Sequence, residues 1–126
     1  MMKKLEVSKI VVEKDQYTAI MQEEIDVELA ETLQAGGRML VDSDGLAFIY
    51  ILEDESAFYY VIFSQETWPQ LREILSQSAT LALRLNKEIE IELSSVVEEL
   101  SFLTDNIEGN SNYGEEMEKA VQEIFN

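Results

Sequence analysis

The chain has 126 residues, 46% hydrophobic and 28% charged, which suits one globular domain burying roughly two-thirds of its unfolded surface. It contains neither cysteine nor histidine. That excludes disulfides, thiolate nucleophiles, zinc–thiolate sites, serine–histidine triads and HExxH metal centres, and leaves carboxylates, lysine or tyrosine for any acid–base role. The net charge of -17 opposes nucleic acid and anionic membranes as partners and favours basic proteins or cations, although simple solubility also accounts for it.

Lys3 and Lys4 imitate the basic start of a leader, but Glu6, Lys9, Glu13 and Lys14 interrupt the apolar segment that a leader requires next. The longest apolar run, Leu46 to Leu52, is far shorter than the ~20 residues of a membrane span. The expectation is a cytoplasmic protein.

Lys3–Val12 and Tyr17–Gln22 are predicted strands around a turn at Lys14-Asp15-Gln16, and the consecutive Ile10, Val11 and Val12 point to a bulge. Glu24–Gln34 fits two periods. Ile25, Val27 and Leu29 alternate as in a strand, while Ile25, Leu29 and Leu33 repeat as in a helix. A strand followed by a short turn or helix, closed by Gly36-Gly37, is the favoured assignment. Arg38–Val41 then leads through Asp42-Ser43-Asp44-Gly45 into Leu46–Leu52, and Glu53-Asp54-Glu55-Ser56 leads into Ala57–Phe63. Both of these longer strands are apolar on both faces, the pattern of strands covered on two sides. Helices are expected on one side, and a second layer or a partner subunit on the other.

Thr67 with Gln70 forms a capping-box pattern, Pro69 sits in the first turn, and Trp68, Leu71, Ile74 and Leu75 make the apolar stripe of a helix. Two strands come next, Thr80–Leu85 and Glu88–Leu93, joined at Asn86-Lys87; the second alternates with Ile89, Ile91 and Leu93 inward. Ser95 with Glu98 is a second capping box, opening a helix on Val96, Leu100, Leu103 and Ile107. Met117, Ala120, Val121, Ile124 and Phe125 mark a last amphipathic helix. The expected fold is a single α+β domain over residues 1–126: an antiparallel sheet of about six to seven strands, one central helix and a C-terminal helical pair.

Between the last two helices lies Asp105–Glu116, twelve residues long, the length of an EF-hand loop. The ligand positions fail in both registers. Starting at Asp105 puts Ile107 at position three and Gly109 at five; starting at Asn106 puts Ser111 at the glycine position and Met117 at the bidentate position. The stretch is better explained as an elbow, with Gly109 as left-handed C-cap and Asn112 starting the next helix. Asp42 and Asp44 could share a divalent cation, but Asp44-Gly45 is also a strong hairpin-turn signal that needs no ion. No nucleotide-binding glycine motif occurs. Tyr50, Phe58, Tyr59, Tyr60 and Phe63 lack basic neighbours for base stacking and are expected in the core or a dimer contact. The candidate binding residues are Asp42, Asp44, Asn106, Glu108, Asn110, Asn112, Tyr113 and Glu115; no catalytic or metal-ligating residue and no cofactor are assigned.

Met39-Leu40-Val41-Asp42-Ser43-Asp44, with Asn106-Ile107-Glu108-Gly109-Asn110 and Asn112-Tyr113-Gly114-Glu115-Glu116, resembles a small uncharacterised protein family of Firmicutes, single-domain proteins of about this length. The similarity runs from roughly Arg38 to the end. The resemblance implies a cytosolic bacterial protein and transfers no functional residue.

The residues support three functional readings. The first is a non-catalytic acidic binding or adaptor module, a homodimer through the doubly apolar strands or a binder of another protein. The second is a divalent-cation-binding protein or small carboxylate-based enzyme, which requires the two polar turns to meet around a pocket. The third is a nucleic-acid-mimicking inhibitor. It draws on the eleven acids that face Lys119 alone between Glu88 and Asn126.

Overall fold

The computed structural model describes residues 2–14 and 16–125. Its seven strands are β1 (Met2–Glu13), β2 (Gln16–Met21), β3 (Gln34–Asp42), β4 (Ala47–Glu53), β5 (Phe58–Ser64), β6 (Leu81–Arg84) and β7 (Glu90–Glu92). The helices are α1 (Val27–Ala30), α2 (Trp68–Gln77), α3 (Val96–Ile107) and α4 (Glu115–Phe125), with 3-10 turns at Gln65–Thr67 and Ser111–Tyr113.

The strands form one sheet in the order β3-β4-β5-β1-β2-β6-β7. It is mixed rather than antiparallel: β1 runs parallel to β5 and β2 parallel to β6, while the other neighbours are antiparallel. The cause is the length of β1. At ~3.3 Å per residue it spans on the order of 40 Å, so it serves two partners in succession. Met2 to Glu6 pair with β5, and Val7 to Glu13 pair with β2 on the other side, with a register shift between Val7 and Lys9 where the ladder changes hands. β5 and β6 reach their parallel neighbours through long connections, which parallel pairing requires.

No strand opens the Glu24–Gln34 segment, although the expected short helix is there and Gln34 begins β3. An irregular segment leads into the single turn of α1, and Gly36-Gly37 lies within β3 rather than closing a helix. A Cβ on Gly36 would stand 2.6 Å from the Ile51 carbonyl oxygen, and Gly37 has φ +72°, so the β3 bulge needs glycine at both positions. Of the first predicted turn, Lys14 is left-handed and Asp15 lies outside the described residues.

The inward-facing apolar residues of α1–α4 and one face of the sheet share a single buried cluster, while Val27 and Phe102 stay exposed. Trp68 lies against Phe48 and Phe125, with ring centroids 5.1 and 5.8 Å away, and donates its indole N–H to the Phe63 carbonyl at 3.0 Å. Phe125 thereby pins the end of α4 under the sheet. Near the β3 edge, the Tyr50 hydroxyl accepts the Gly37 N–H at 3.1 Å and donates to the Ser94 carbonyl at 2.7 Å. Glu99 of α3 accepts the Met39 N–H at 3.0 Å. The edge strand β3 is thus tied to the segment after β7 and capped by a helix, which removes backbone groups otherwise open to unwanted strand pairing.

Neither predicted capping box forms. Thr67 sends its hydroxyl back to the Ser64 carbonyl within the 3-10 turn, and Ser95 enters α3 in the left-handed region with no side-chain cap. Asn86, buried, holds the β6–β7 turn instead. Its amide oxygen accepts the N–H groups of Glu88 and Ile89, and its amide nitrogen donates to the Ile25 carbonyl, 61 residues away in sequence.

Candidate functional site

The turn after β3 is organised by Asp42. Its carboxylate accepts the Gly45 N–H at 3.0 Å, and a Cβ on Gly45 would come within 2.6 Å of the other carboxylate oxygen. A side chain at position 45 would displace the Asp42 carboxylate from this bond. The left-handed residue of the turn is Leu46 (φ +50°), so the two-residue Asp-Gly hairpin geometry is replaced by a longer loop. Asp44 points into solvent.

In the elbow, Gly109 takes the left-handed position after α3 (φ +70°), as the sequence predicts. Asn112 does not cap α4. It lies in the 3-10 turn with its N–H bonded to the Asn110 side chain, and Gly114 (φ +90°) precedes the helix, its carbonyl accepting the Glu118 N–H. Tyr113 is half-buried against the core, while Asn106, Glu108, Asn112 and Glu115 are exposed. Among the described residues, no hydrogen bond or ion pair links the turn at Asp42 to this elbow. Nor do three acidic side chains converge as metal ligands among them. None of the described helices is long and apolar enough to cross a membrane.

Sequence inspection overlooked Asp54, in the β4–β5 turn. Its carboxylate accepts the N–H groups of Ser56 and Ala57 at 2.8 Å each, and the Tyr59 hydroxyl at 3.0 Å. The Ser56 N–H holds this carboxyl below the ordinary carboxylate value; partial desolvation opposes it, and Ala57, Tyr59 and the Ser56 hydroxyl reinforce it. Burial first, then Asp54, raises the Tyr59 phenol above its usual value. Asp54-x-Ser56 is a recognisable side-chain turn pattern, and that was the available signal.

The direction of each shift fixes the sign of its pH effect. Asp54 contributes stability that is present above the unfolded value of about 3.9 and is lost as pH falls through the lower folded value. Tyr59 contributes stability that is present below about 10 and is lost as pH rises through its raised value. Urea midpoints measured from pH 6 to pH 3 are expected to fall less steeply for Asp54→Asn than for the native chain. Equal slopes would mean that this turn is not held by the ionised carboxylate.

A groove of about 630 Å³ beside this turn is lined by Glu31, Glu53, Asp54 and Glu55 among others. Asp54 is committed to the turn, so the groove presents acids without an organised acceptor set.

The most distinctive surface is the outer face of the sheet. Strand partners share a face, which places Leu40, Ile49, Ile62 and Glu6 in one row and Ile51, Tyr60 and Lys4 in the next, with Phe58 beyond them. None of these six apolar residues belongs to the core cluster or packs against it. Leu40 is 41% exposed and Phe58 50%, Tyr60 and Ile62 are half-buried, and Ile49 and Ile51 are buried, at 8% and 6%. The doubly apolar pattern of β4 thus records one face in the core cluster and a second face that is also buried, with Ala47, Ile49 and Ile51 at 2%, 8% and 6%.

A mixed, curled seven-stranded sheet packed on helices defines a small α+β protein. The chain belongs to UPF0738, a family of unknown function, which it matches over residues 5–125. The match therefore includes the strands before Arg38. Its relatives include the UPF0738 proteins of Shouchella clausii, 47% identical over 98% of this chain and 100% of the relative, and of Halalkalibacterium halodurans, 45% identical over 98% of each. The Bacillus mycoides protein is 44% identical over 82% of each chain. No solved structure matches.

Proposed function

We propose that this chain is a non-catalytic, acidic protein-binding module that docks through the outer face of β4 and β5. The observation that carries the reading is the row pattern on the face away from the core cluster, where Leu40 and Phe58 are exposed and Tyr60 and Ile62 half-buried around the buried Ile49 and Ile51. Contiguous apolar surface on a sheet costs free energy in water, and its usual role is to meet another protein. The charge supports the same reading, since -17 keeps a chain with such a face from associating indiscriminately.

The test compares the tagged native chain with a Leu40→Ser/Phe58→Ser variant as baits in native cytosol, with captured chains identified by mass spectrometry. Both residues are already substantially exposed, so the variant is expected to fold. The native chain is expected to retain a protein, its own untagged copy included, that the variant loses. Identical captures by both baits would contradict docking through this face.

A further inference from the structure

We infer that the notch between the first half of β1 and the segment after β2 takes an extended peptide, alternating apolar and basic side chains, that adds to β1 as a further strand. This site is separate from the β4–β5 docking face. It arises where β1 changes partner. The Gln22 N–H donates to the Glu6 carbonyl at 2.9 Å, so the backbone of Glu6 points to the β2 side. Backbone groups alternate along a strand, so the Lys4 N–H and carbonyl and the Glu6 N–H point the same way, while Lys3 and Leu5 turn to β5. Pairing with β2 starts only at Val7. Past Gln22 the chain leaves for the far side of β6, where the Ile25 N–H donates to the Leu85 carbonyl at 3.0 Å. Among the described residues, no backbone bond from outside the strands reaches those three groups. The β3 edge has Glu99 on its Met39 N–H; this half of β1 has no such cover among the described residues.

The open edge borders a groove of about 440 Å³. Its floor is apolar, with Leu5 buried and Ile25 and Leu29 half-buried against the core. On the rim, Lys3 and Lys4 stand against Glu6, Glu23, Glu24 and Asp26, all exposed. Extending the count to the adjoining Lys87 and Glu88 and to Glu28 of α1 leaves six acids against three bases. Lysines on an open edge discourage indiscriminate pairing, and the surplus of acids selects against an acidic strand, one from a second copy of this chain at -17 included.

An added strand turns alternate side chains to opposite faces. Apolar ones meet the floor of Leu5, Ile25 and Leu29, and basic ones reach the acids of the rim. At ~3.3 Å per residue, Met2 to Glu6 spans about 16 Å, so about five residues of the peptide pair.

The probe is a capped seven-residue peptide alternating valine and lysine, with a glutamate-for-lysine counterpart as control, followed by amide hydrogen exchange and titration of the labelled chain. In the free chain the Lys4 and Glu6 amides are expected to exchange fast and the Leu5 amide slowly. Saturation with the lysine peptide should slow Lys4 and Glu6 about tenfold or more, and the glutamate peptide should not. Lys4→Pro removes an N–H aimed at the notch and no ladder bond, so it should weaken binding about tenfold or more, whereas Lys4→Ala should not. Glu23→Lys/Glu24→Lys leaves the strand intact and should weaken binding by a similar factor. Leu40→Ser, on β3, should leave it unchanged. Lys4 and Glu6 amides as protected as Leu5 in the free chain would overturn the inference, as would equal binding of the two peptides or none of the lysine peptide. Loss of binding in Leu40→Ser would also overturn it, because the peptide would then lie on the outer face.

Discussion

Replacing Trp68 with alanine is expected to remove about 3–5 kcal/mol of stability, the largest single-residue effect in the molecule. The indole is fully buried and forms one corner of a triangle with Phe48 and Phe125, themselves 5.7 Å apart edge to face. Deletion opens a cavity at the point where β4, α2 and α4 meet, and it removes the hydrogen bond to the Phe63 carbonyl. Against the roughly 5–15 kcal/mol by which domains of this size are stable, such a loss takes a large share and lowers Tm by about 10–25 °C. Trp68→Phe should cost less, because it keeps most of the ring. The chain has a single tryptophan, so native fluorescence reports this site, and urea unfolding by circular dichroism gives the free energy for the variants that lack it. A loss below about 1 kcal/mol for Trp68→Ala would mean that the triangle is not part of the core.

Tyr50→Phe is expected to cost about 0.5–1.5 kcal/mol although it deletes one atom. Its hydroxyl is the joint between the β3 bulge and the segment just after β7, accepting from Gly37 and donating to Ser94. Phenylalanine fills the same space and leaves both backbone groups short of a partner at a half-buried seam, where water replaces the hydroxyl only in part. The loss should be local first. Amide exchange at Gly37 and in β7 is expected to accelerate more than exchange in β4 or β5, because only the seam between the sheet's two ends is released. Uniform acceleration across all strands would instead place Tyr50 in the global core without a special role at the seam.

These two residues show what sequence could disclose. Trp68 sits in an apolar stripe of helical period, so its helix and its inward direction were readable from spacing alone. Tyr50 was readable as part of a buried strand, but its partners lie 13 and 44 residues away, and local pattern carries no information about them. The same limit explains the parallel pairs. Alternation in Met2–Glu13 reports which side chains face the core, not that the strand changes partner midway. The capping boxes failed because tertiary bonds took precedence. Thr67 closes a 3-10 turn, and Ser95 comes directly after a residue committed to Tyr50. Gly109 was legible because a left-handed C-cap is a local requirement, whereas Asn112 lost its expected role to the turn that Asn110 organises.

The outer face was legible in part. Phe48, Tyr50 and Leu52 alternating with Ala47, Ile49 and Ile51 predicted two covered faces, and the cluster membership separates them: the first set joins the core and the second does not. What sequence could not supply was the parity of β5 and β1 relative to β4, which brings Tyr60, Ile62, Lys4 and Glu6 onto the same surface. A hairpin register and a parallel register were both needed to place them.

The central proposal, docking of a protein on this face, is tested most directly by following backbone amide resonances of the labelled chain as the protein that it captures, a second copy included, is added. Shifts and broadening are expected at Leu40, Ile49, Ile51, Phe58, Tyr60 and Ile62 and at the flanking Lys4 and Glu6, while the elbow from Asn106 to Glu115 stays unchanged. Changes centred on the elbow or on α3 and α4, with the β4–β5 amides constant, would contradict it.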